Sequence, residues 1–590
     1  MKKIIELLEE EIGIAFTECG YEKELGRVTV SNRPDLCEYQ CNGALAGAKK
    51  FKKAPLIIAN EVKDKLLSSG IMTDLEAVKP GFINFNISSE FLAKYLTELS
   101  KDENLGVRKA ENPFSIIMDY GGPNAAKPLH VGHLRSAIIG ESIKRIARYV
   151  GHNVISDIHL GDWGYQMGLI ITEVSKRMPE LPYFDDKFAG EYPSEAPFTV
   201  SELEEIYPFA SGKAKEDEAY REEALEATNR LQHGNKGYIA LWNHIMNVST
   251  ADLKKNYDRL DVHFDLWKGE SSVNDIIAPM VERFKEEGYA RFDQGALVID
   301  VSKPEDKKEI PPCIILKSDG AALYATTDLA TLVEREKEYK PDQVIYIVDK
   351  RQDMHFLQVF RAAKITKIVP EDTKLDFLGF GTMNGKDGKP FKTRDGGVMR
   401  LEYLIDDIDE KMYQKIIENK EMEPDEAKEI AKIVGLAAIK YGDLSNQASK
   451  DYVFDLDKFM SFEGNTGPYI LYTIVRIKSI LKKYSEEKEN VCELEEDILP
   501  ANSEALKKLS LDLTEFSGVI ENAYKELAPH KLCAYIYELS NDFNRFYHET
   551  NIMKEENENN QKSYIRILEL TKNILEKSVN LLGFSAPDRM

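Results

Sequence analysis

Two histidines stand three residues apart in His130-Val131-Gly132-His133. At the start of a helix that spacing puts both on one face. Both imidazoles can then donate to a phosphate whose negative charge grows during displacement. A helix start also presents N–H groups without helical partners and a partial positive charge, which suits phosphate. Gly132 lacks a Cβ and so leaves the backbone open to a nucleotide. Farther on, Gly385-Lys386-Asp387-Gly388-Lys389-Pro390-Phe391-Lys392-Thr393-Arg394-Asp395-Gly396-Gly397 is a glycine- and lysine-rich loop. Cations on such a loop can clamp a triphosphate. Together these residues suit displacement at the phosphate of a nucleotide. Each segment by itself fits a plainer reading, a pair of surface histidines at a helix start and a solvated loop.

The elements that must hold them follow from periodicity. Phe114 to Asp119 is a short apolar strand, and Gly121-Gly122-Pro123-Asn124 breaks it. From Val131 to Val150 the apolar residues Leu134, Ala137, Ile138, Ile143, Ile146 and Ala147 keep helical spacing. Gly151 ends that helix, and Asn153 to Ile158 returns as a strand. A strand–helix–strand crossover of this kind is right-handed and makes a parallel sheet, with ligands at the strand ends. Asp342 to Val348 and Lys374 to Gly379 read as two further strands, with a helix from Asp353 to Ala363 between them. Before this unit, Leu56 to Leu67 reads as a helix and Pro80 to Ile87 as a turn and strand. Residues 175 to 270 are polar and helical, an insertion between two halves of the sheet. After about residue 425 the pattern is helical to the end, which marks a separate all-α domain.

Composition narrows the class. The chain has 590 residues and a net charge of −23, with no apolar run near the ~20 residues that span a membrane. The first residues, Met1-Lys2-Lys3-Ile4-Ile5-Glu6, have no apolar stretch of secretory length, so a cytoplasmic location is expected. An acidic total disfavours nucleic acid as a partner unless basic groups gather on a local face. The six cysteines, Cys19, Cys37, Cys41, Cys313, Cys492 and Cys533, form no C-x-x-C pair. Neither a disulfide framework nor a structural metal is expected.

The run from Asp119 to Gly140, with Asn124-Ala125-Ala126-Lys127-Pro128-Leu129 leading into His130-Val131-Gly132-His133-Leu134-Arg135-Ser136, resembles the first signature of class I arginyl-tRNA synthetases. Gly161-Asp162-Trp163-Gly164-Tyr165-Gln166-Met167-Gly168 is similar to the same family. The resemblance runs from Glu38-Tyr39-Gln40 to Met590 and is weakest in residues 180 to 215. It implies an α/β Rossmann-like catalytic domain (106–425, with the insertion at about 175–300). A small N-terminal α/β domain (1–105) and an all-α stem and anticodon-binding domain (426–590) flank it.

The resemblance also implies roles. His130, Gly132, His133 and Lys127 would bind ATP, and His130, His133 and Lys127 would act in catalysis. Lys392-Thr393-Arg394 resembles a degenerate Lys-Met-Ser-Lys loop without its final lysine, and Lys127 resembles the lysine that makes up the missing charge. Lys392 and Arg394 would share the catalytic task, and Lys392 and Thr393 would touch ATP. A guanidinium has five fixed donors and keeps its charge, so its pocket needs carboxylates. Asp119 and Asp328 would supply them, with Tyr324 along the side chain. Asn124 and Gln352 would hold the α-amino group. Read alone, Asp328 also fits a helix N-cap and Asp119 a strand-end turn residue. Phe82 and Asn84 in the first domain, with Tyr469, Arg476, Arg545 and Tyr547 in the last, would contact tRNA.

The implied function is arginine–tRNA ligation: ATP activates L-arginine to the adenylate, and the arginyl group moves to the 3′-terminal adenosine of tRNA(Arg). ATP with Mg2+, L-arginine and tRNA are the expected ligands, a monomer the expected state, and a membrane is not expected. Another class I synthetase or a nucleotidylyltransferase shares the H-x-G-H element. A catalytically silent tRNA-binding relative is the alternative of a different class.

Overall fold

The computed structural model describes residues 1–389, 399–418, 422–487 and 497–590. The N-terminal part is a four-stranded antiparallel sheet with helices packed on it. Its strands run in the order Val28–Val30, Tyr39–Cys41, Phe82–Ile87 and Met72–Val78. Ile83, Phe85 and Ile87 alternate along one strand and are fully buried, as a one-sided sheet requires.

The central sheet is built from β1 (Ser115–Tyr120), β2 (Asn153–Asp157), β3 (Gln343–Asp349) and β4 (Lys374–Phe380). The order across the sheet is β4–β3–β1–β2, and every pairing is parallel. Successive residues of a strand face opposite sides. Ile116, Met118 and Tyr120 therefore enter one hydrophobic cluster and Ile117 another, with Ile345 and Val344 of β3 divided the same way. Both faces are covered, which is why these strands read as continuous apolar runs. The chain leaves β1 toward β2 and later returns to the other side of β1 as β3. The switch point thus lies between the carboxyl ends of β1 and β3, where such sheets bind ligands.

Helix α1 (Val131–Tyr149) joins β1 to β2. Beyond the sheet it packs against the C-terminal helices Pro424–Leu444, Glu504–Lys525 and Glu558–Leu581. The H-x-G-H helix is therefore the hub between sheet and helical bundle. Its Gly140 lies against the Tyr120 ring, where a Cβ would clash. Helix α2 (Tyr165–Arg177) packs with the inserted helices Val200–Glu216, Glu218–Gln232 and Lys236–Arg259, and Ser249 and Tyr257 of the last bond to the backbone of Ala126 and Gly121 just after β1. Helices α3 (Tyr324–Tyr339) and α4 (Asp353–Ile365) flank β3.

Two features depart from the sequence reading. A three-stranded antiparallel sheet, Arg291–Asp293, Ala296–Ile299 and Cys313–Leu316, follows the helical insertion in a stretch where no strand was read. Its signal was Gln294-Gly295, both at positive φ, a two-residue hairpin turn. The helical part also begins earlier than residue 425, with Leu401–Ile417, whose Leu401, Leu404, Ile405, Ile408, Met412 and Ile416 are buried at helical spacing.

Candidate active site

The two histidines are locked by their own backbone. His130 caps α1: the Gly132 N–H donates to its Nδ1 at 3.0 Å. The His130 N–H in turn donates to His133 Nδ1 at 3.1 Å. The rings lie 3.9 Å apart, centroid to centroid. With each Nδ1 an acceptor, the proton of each neutral ring sits on Nε2. Burial, then the neighbouring His130 and Lys127, push His133 down to about 3. Burial and Lys127 also lower His130. Both side chains are thus neutral Nε2–H donors near pH 7, not cations.

This corrects one sequence expectation. The first-turn N–H groups are not open to phosphate: Val131 donates to the Met399 carbonyl at 3.1 Å, Gly132 to His130 Nδ1, and His133 to the His130 carbonyl at 2.8 Å. At Gly132 the neighbour that a side chain would meet is the His130 ring. A Cβ there would lie 2.7 Å from His130 Cε1, so the glycine makes room for the histidine ring.

The bond from Val131 to Met399 belongs to a short ladder, in which Leu401 N–H also donates to the Leu129 carbonyl at 2.8 Å and His130 faces Arg400. The chain just after the lysine-rich loop is therefore stitched to the histidines. On the loop's other side, Met383–Asn384 pairs with Tyr452–Val453. Lys392, Thr393 and Arg394 lie outside the described residues. Lys127 is described, and its ammonium sits 4.4 Å from the Tyr207 ring centroid on the inserted helix Val200–Glu216. That cation–π contact holds the charge beside the histidines.

An acidic pocket lies next to this edge. Asp119, near the end of β1, and Asp157, at the end of β2, both accept from Nη2 of the buried Arg335, at 2.6 and 2.7 Å. Arg335 also donates to the Tyr346 hydroxyl at 3.1 Å. Asp157 is held below the ordinary carboxylate range: burial opposes its charge, but His159 and Arg335 outweigh it. Burial pushes Asp119 the other way despite the same guanidinium. One guanidinium nitrogen serves two carboxylates, so Asp119 keeps acceptor capacity for a second cation. Asp119 is a buried strand residue, not a turn former.

Asp328 is not a helix cap. Helix α3 begins at Tyr324 with Leu323 as its cap, which places Asp328 in the second turn. Its carboxylate lies 2.5 Å from His355 Nε2 on α4. Tyr324 is 75% exposed at the helix start, free to lie along a ligand. Asn124 is exposed, and its side chain lies over Gly161, whose carbonyl accepts from Ala125 N–H at 2.9 Å. Gln352 is exposed at the start of α4.

The sequence reading missed Arg335, Asp157, His159, His355 and Glu270. Glu270 is the most telling. Burial, then the charges of Asp162 and Asp328, push its carboxyl up to about 7. It lies on the segment that docks beside Leu160, where Glu270 N–H donates to the Leu160 carbonyl at 3.1 Å. Among the described residues, Asp119, Asp157 and His159 form one set of three potential metal ligands, with donor atoms within 4.8 Å of one another. The Arg335 guanidinium already fills it, so the set does not fit a metal ion.

The tRNA-contact candidates divide. A cleft of about 520 Å³ in the helical part is lined by Lys415, Tyr469, Tyr472, Arg476, Asn544 and His548, among others. Arg476 bonds to Asn544 and stacks over Tyr472 and Tyr547, at 4.8 and 5.3 Å from their ring centroids. Tyr469, Arg476 and Tyr547 are thus brought together. Arg545 lies outside that lining and pairs with Glu549 at 3.0 Å. In the N-terminal sheet Phe82 is half-buried, and Asn84 is buried, accepting from Gln40 Nε2 at 2.8 Å. Among the described residues, no helix is long and apolar enough to cross a membrane.

Three family models match successive segments of the chain. Residues 2–87 match the arginyl tRNA synthetase N terminal domain. Residues 95–456 match the catalytic domain of the tRNA synthetases class I (R). Residues 470–590 match the DALR anticodon binding domain. An arginine–tRNA ligase of Agathobacter rectalis is 61% identical over 597 residues, covering 100% of both chains. That of Alkaliphilus oremlandii is 54% identical over 590 residues, again covering 100% of both. Among solved structures, the arginyl-tRNA synthetase of Plasmodium falciparum aligns over 100% of both chains at 26% identity, with a TM-score of 0.81. That of Thermus thermophilus aligns over 100% of both at 23% identity, with a TM-score of 0.79, a likeness of fold.

Proposed function

The chain belongs to the arginyl-tRNA synthetases, class I enzymes that ligate arginine to tRNA, and from that membership we propose how its own residues divide the work. Class I membership implies use of ATP. In the first step the arginine carboxylate attacks the α-phosphorus of ATP in line, and pyrophosphate leaves. In the second, a ribose hydroxyl of the terminal adenosine of tRNA attacks the arginyl carbonyl, and AMP leaves.

His130 and His133 bind the ATP phosphates through Nε2–H. As neutral donors of fixed direction they strengthen their bonds where negative charge grows in the transition state. Lys127, held by Tyr207, adds a full positive charge at the same edge. Lys392, Thr393 and Arg394 complete the phosphate clamp from the loop whose far end is stitched to Val131. Mg2+ enters this reading as the companion of the ATP phosphates, with no protein ligand assigned to it.

Asp119, Asp328 and Glu270 receive the arginine guanidinium, Tyr324 covers it, and Asn124 and Gln352 take the α-amino group. Phe82, Asn84, Tyr469, Arg476, Arg545 and Tyr547 contact tRNA, with the cleft around Arg476 suited to a stacked base and its phosphate. The enzyme works as a cytoplasmic monomer in this reading. The observation that carries the assignment is the pair of Nδ1-locked histidines at the sheet's switch point, beside a pocket with more carboxylates than cations. Aminoacylation with each amino acid and bulk tRNA tests it. Charging with arginine alone is expected, and equal charging with lysine would overturn the pocket assignment.

A further inference from the structure

The C-terminal helix Glu558–Leu581 ends against the catalytic core. Carbonyls of a last helical turn lack helical partners and carry partial negative charge. Here one cation reaches the Asn580 carbonyl, which also accepts from Gly583 N–H, and a second takes the carbonyl of Gly583 just past the helix end. Arg145, from α1, donates through Nη1 to the Asn580 carbonyl at 3.0 Å. Lys440, fully buried on helix Pro424–Leu444, donates to the Gly583 carbonyl at 2.6 Å and to the Asp261 carbonyl at 3.2 Å.

Arg145 leads back toward the arginine pocket, and Lys440 joins it at the Asp261 carbonyl that both contact. Arg145 Nε donates to Glu141 Oε1 at 2.8 Å, and Nη2 reaches the Asp261 carbonyl at 3.0 Å. The other oxygen of Glu141 accepts from the Tyr120 hydroxyl at 3.1 Å and the His263 N–H at 3.1 Å. Lys144 completes the cluster, 2.7 Å from Glu141. Tyr120 is the last residue of β1 and the neighbour of Asp119. In the other direction, Lys478 lies two residues beyond Arg476 on the cleft helix Gly467–Glu487. It pairs with Glu576 at 2.9 Å, one turn before Asn580.

We propose that Arg145 and Lys440 are positioning residues: they transmit the docked position of the C-terminal helix, through Glu141 and Tyr120, to the carboxylate of Asp119, and so set the affinity for arginine. Neither touches substrate. The proposal rests on the reading that Asp119 lines the arginine pocket. The relay runs through directional hydrogen bonds to Tyr120 and then along the β1 backbone, because the Asp119 side chain faces the other side of the sheet. A shift at the helix end must therefore be absorbed at Tyr120, move that strand or break a bond.

Steady-state aminoacylation by the full-length enzyme tests this with Tyr120→Phe, Lys440→Met, Arg145→Met and Arg145→Lys. Tyr120→Phe and Lys440→Met are each expected to raise the arginine KM about fivefold or more, with the ATP KM unmoved. Combined, they should do no more than the larger single change, because both cut one route. Arg145→Lys should recover most of what Arg145→Met loses. If Lys440→Met fails to fold, Tyr120→Phe and the Arg145 pair carry the test. An unchanged arginine KM in the folded variants overturns the proposal, as do parallel shifts in both KM values or multiplying effects in the double variant. Wild-type enzyme that charges no arginine would instead overturn the functional reading itself.

Discussion

Arg135 and Asp443 stand 308 residues apart in the chain and 2.9 Å apart in space, Nε to Oδ1, both buried. Arg135 follows His133 by two residues, and Asp443 lies on the helix Pro424–Leu444. Nη1 of Arg135 also donates to the Gly381 carbonyl at 2.6 Å and the Lys450 carbonyl at 3.1 Å, and the guanidinium lies 4.9 Å from the Tyr452 ring centroid. One side chain thus joins the histidine helix, the end of β4 and the stem. Arg135→Met should cost about 3–5 kcal/mol, because Asp443 is left charged and buried. Urea unfolding measures it. Replacing both residues by apolar ones of similar size should cost clearly less, and an equal cost would deny that the unpaired charge is the cause.

The histidines act as neutral donors. His133→Ala should lower kcat by roughly tenfold or more, while His133→Gln, which keeps a neutral N–H, should retain more of the rate. The same environment makes a pH prediction. His133 is pushed from 6.5 to about 3 on folding, so between those values the unfolded chain binds the extra proton and the native state does not. Stability therefore rises with pH across that window, by up to about 1.4 kcal/mol per unit. Unfolding at about pH 5 and again near neutrality should show a shallower slope for His133→Gln than for the wild type. Matching slopes would mean that His133 titrates normally.

Glu270 predicts proton release. Its carboxyl, pushed up to about 7, is partly protonated at neutral pH, and a guanidinium beside it favours the ionised form. Arginine binding near neutral pH should release a fraction of a proton, and the arginine KM should fall as pH rises through about 7. Calorimetry in two buffers of different ionisation heat counts the protons. Glu270→Gln should abolish the release and raise the arginine KM roughly tenfold. The same proton count from the variant would place this carboxyl outside the pocket.

Asp119 and Asp328 should separate by what each loses. Arg335→Met strands Asp119 and Asp157 together in the interior, for about 3–5 kcal/mol of stability. Asp328→Ala is expected chiefly to weaken use of arginine, with ATP binding by titration largely intact. Asp119→Asn keeps a hydrogen bond to Arg335 and should raise the arginine KM with a smaller loss of stability. Equal loss of ATP binding in the Asp328 variant would count against the pocket as assigned.

Much of the site's frame was legible in the residues. The periodicity of Leu134 to Ala147 and the glycine and proline breaks around it mark the strand–helix–strand unit, because side-chain burial repeats with the helix and the strand. The segment from Asp119 to Ser136 is long enough to carry the family with it. The hairpin at Gln294-Gly295 and the helix Leu401–Ile417 were also present as local signals, and their residues are short-range features like the others.

Local patterns and residue identity carry most of the elements, the family and the candidate groups. Which of those groups already have partners depends on the fold. Val131 gives its N–H to Met399, and the His130 ring fills the place of a Gly132 side chain. Asp119 shares a guanidinium with Asp157, and Glu270 comes to stand among acids. Each of these depends on hydrogen bonds and charges brought together from distant parts of the chain. No periodicity records such contacts, because a polar group's partner is set by the fold and not by its neighbours in sequence.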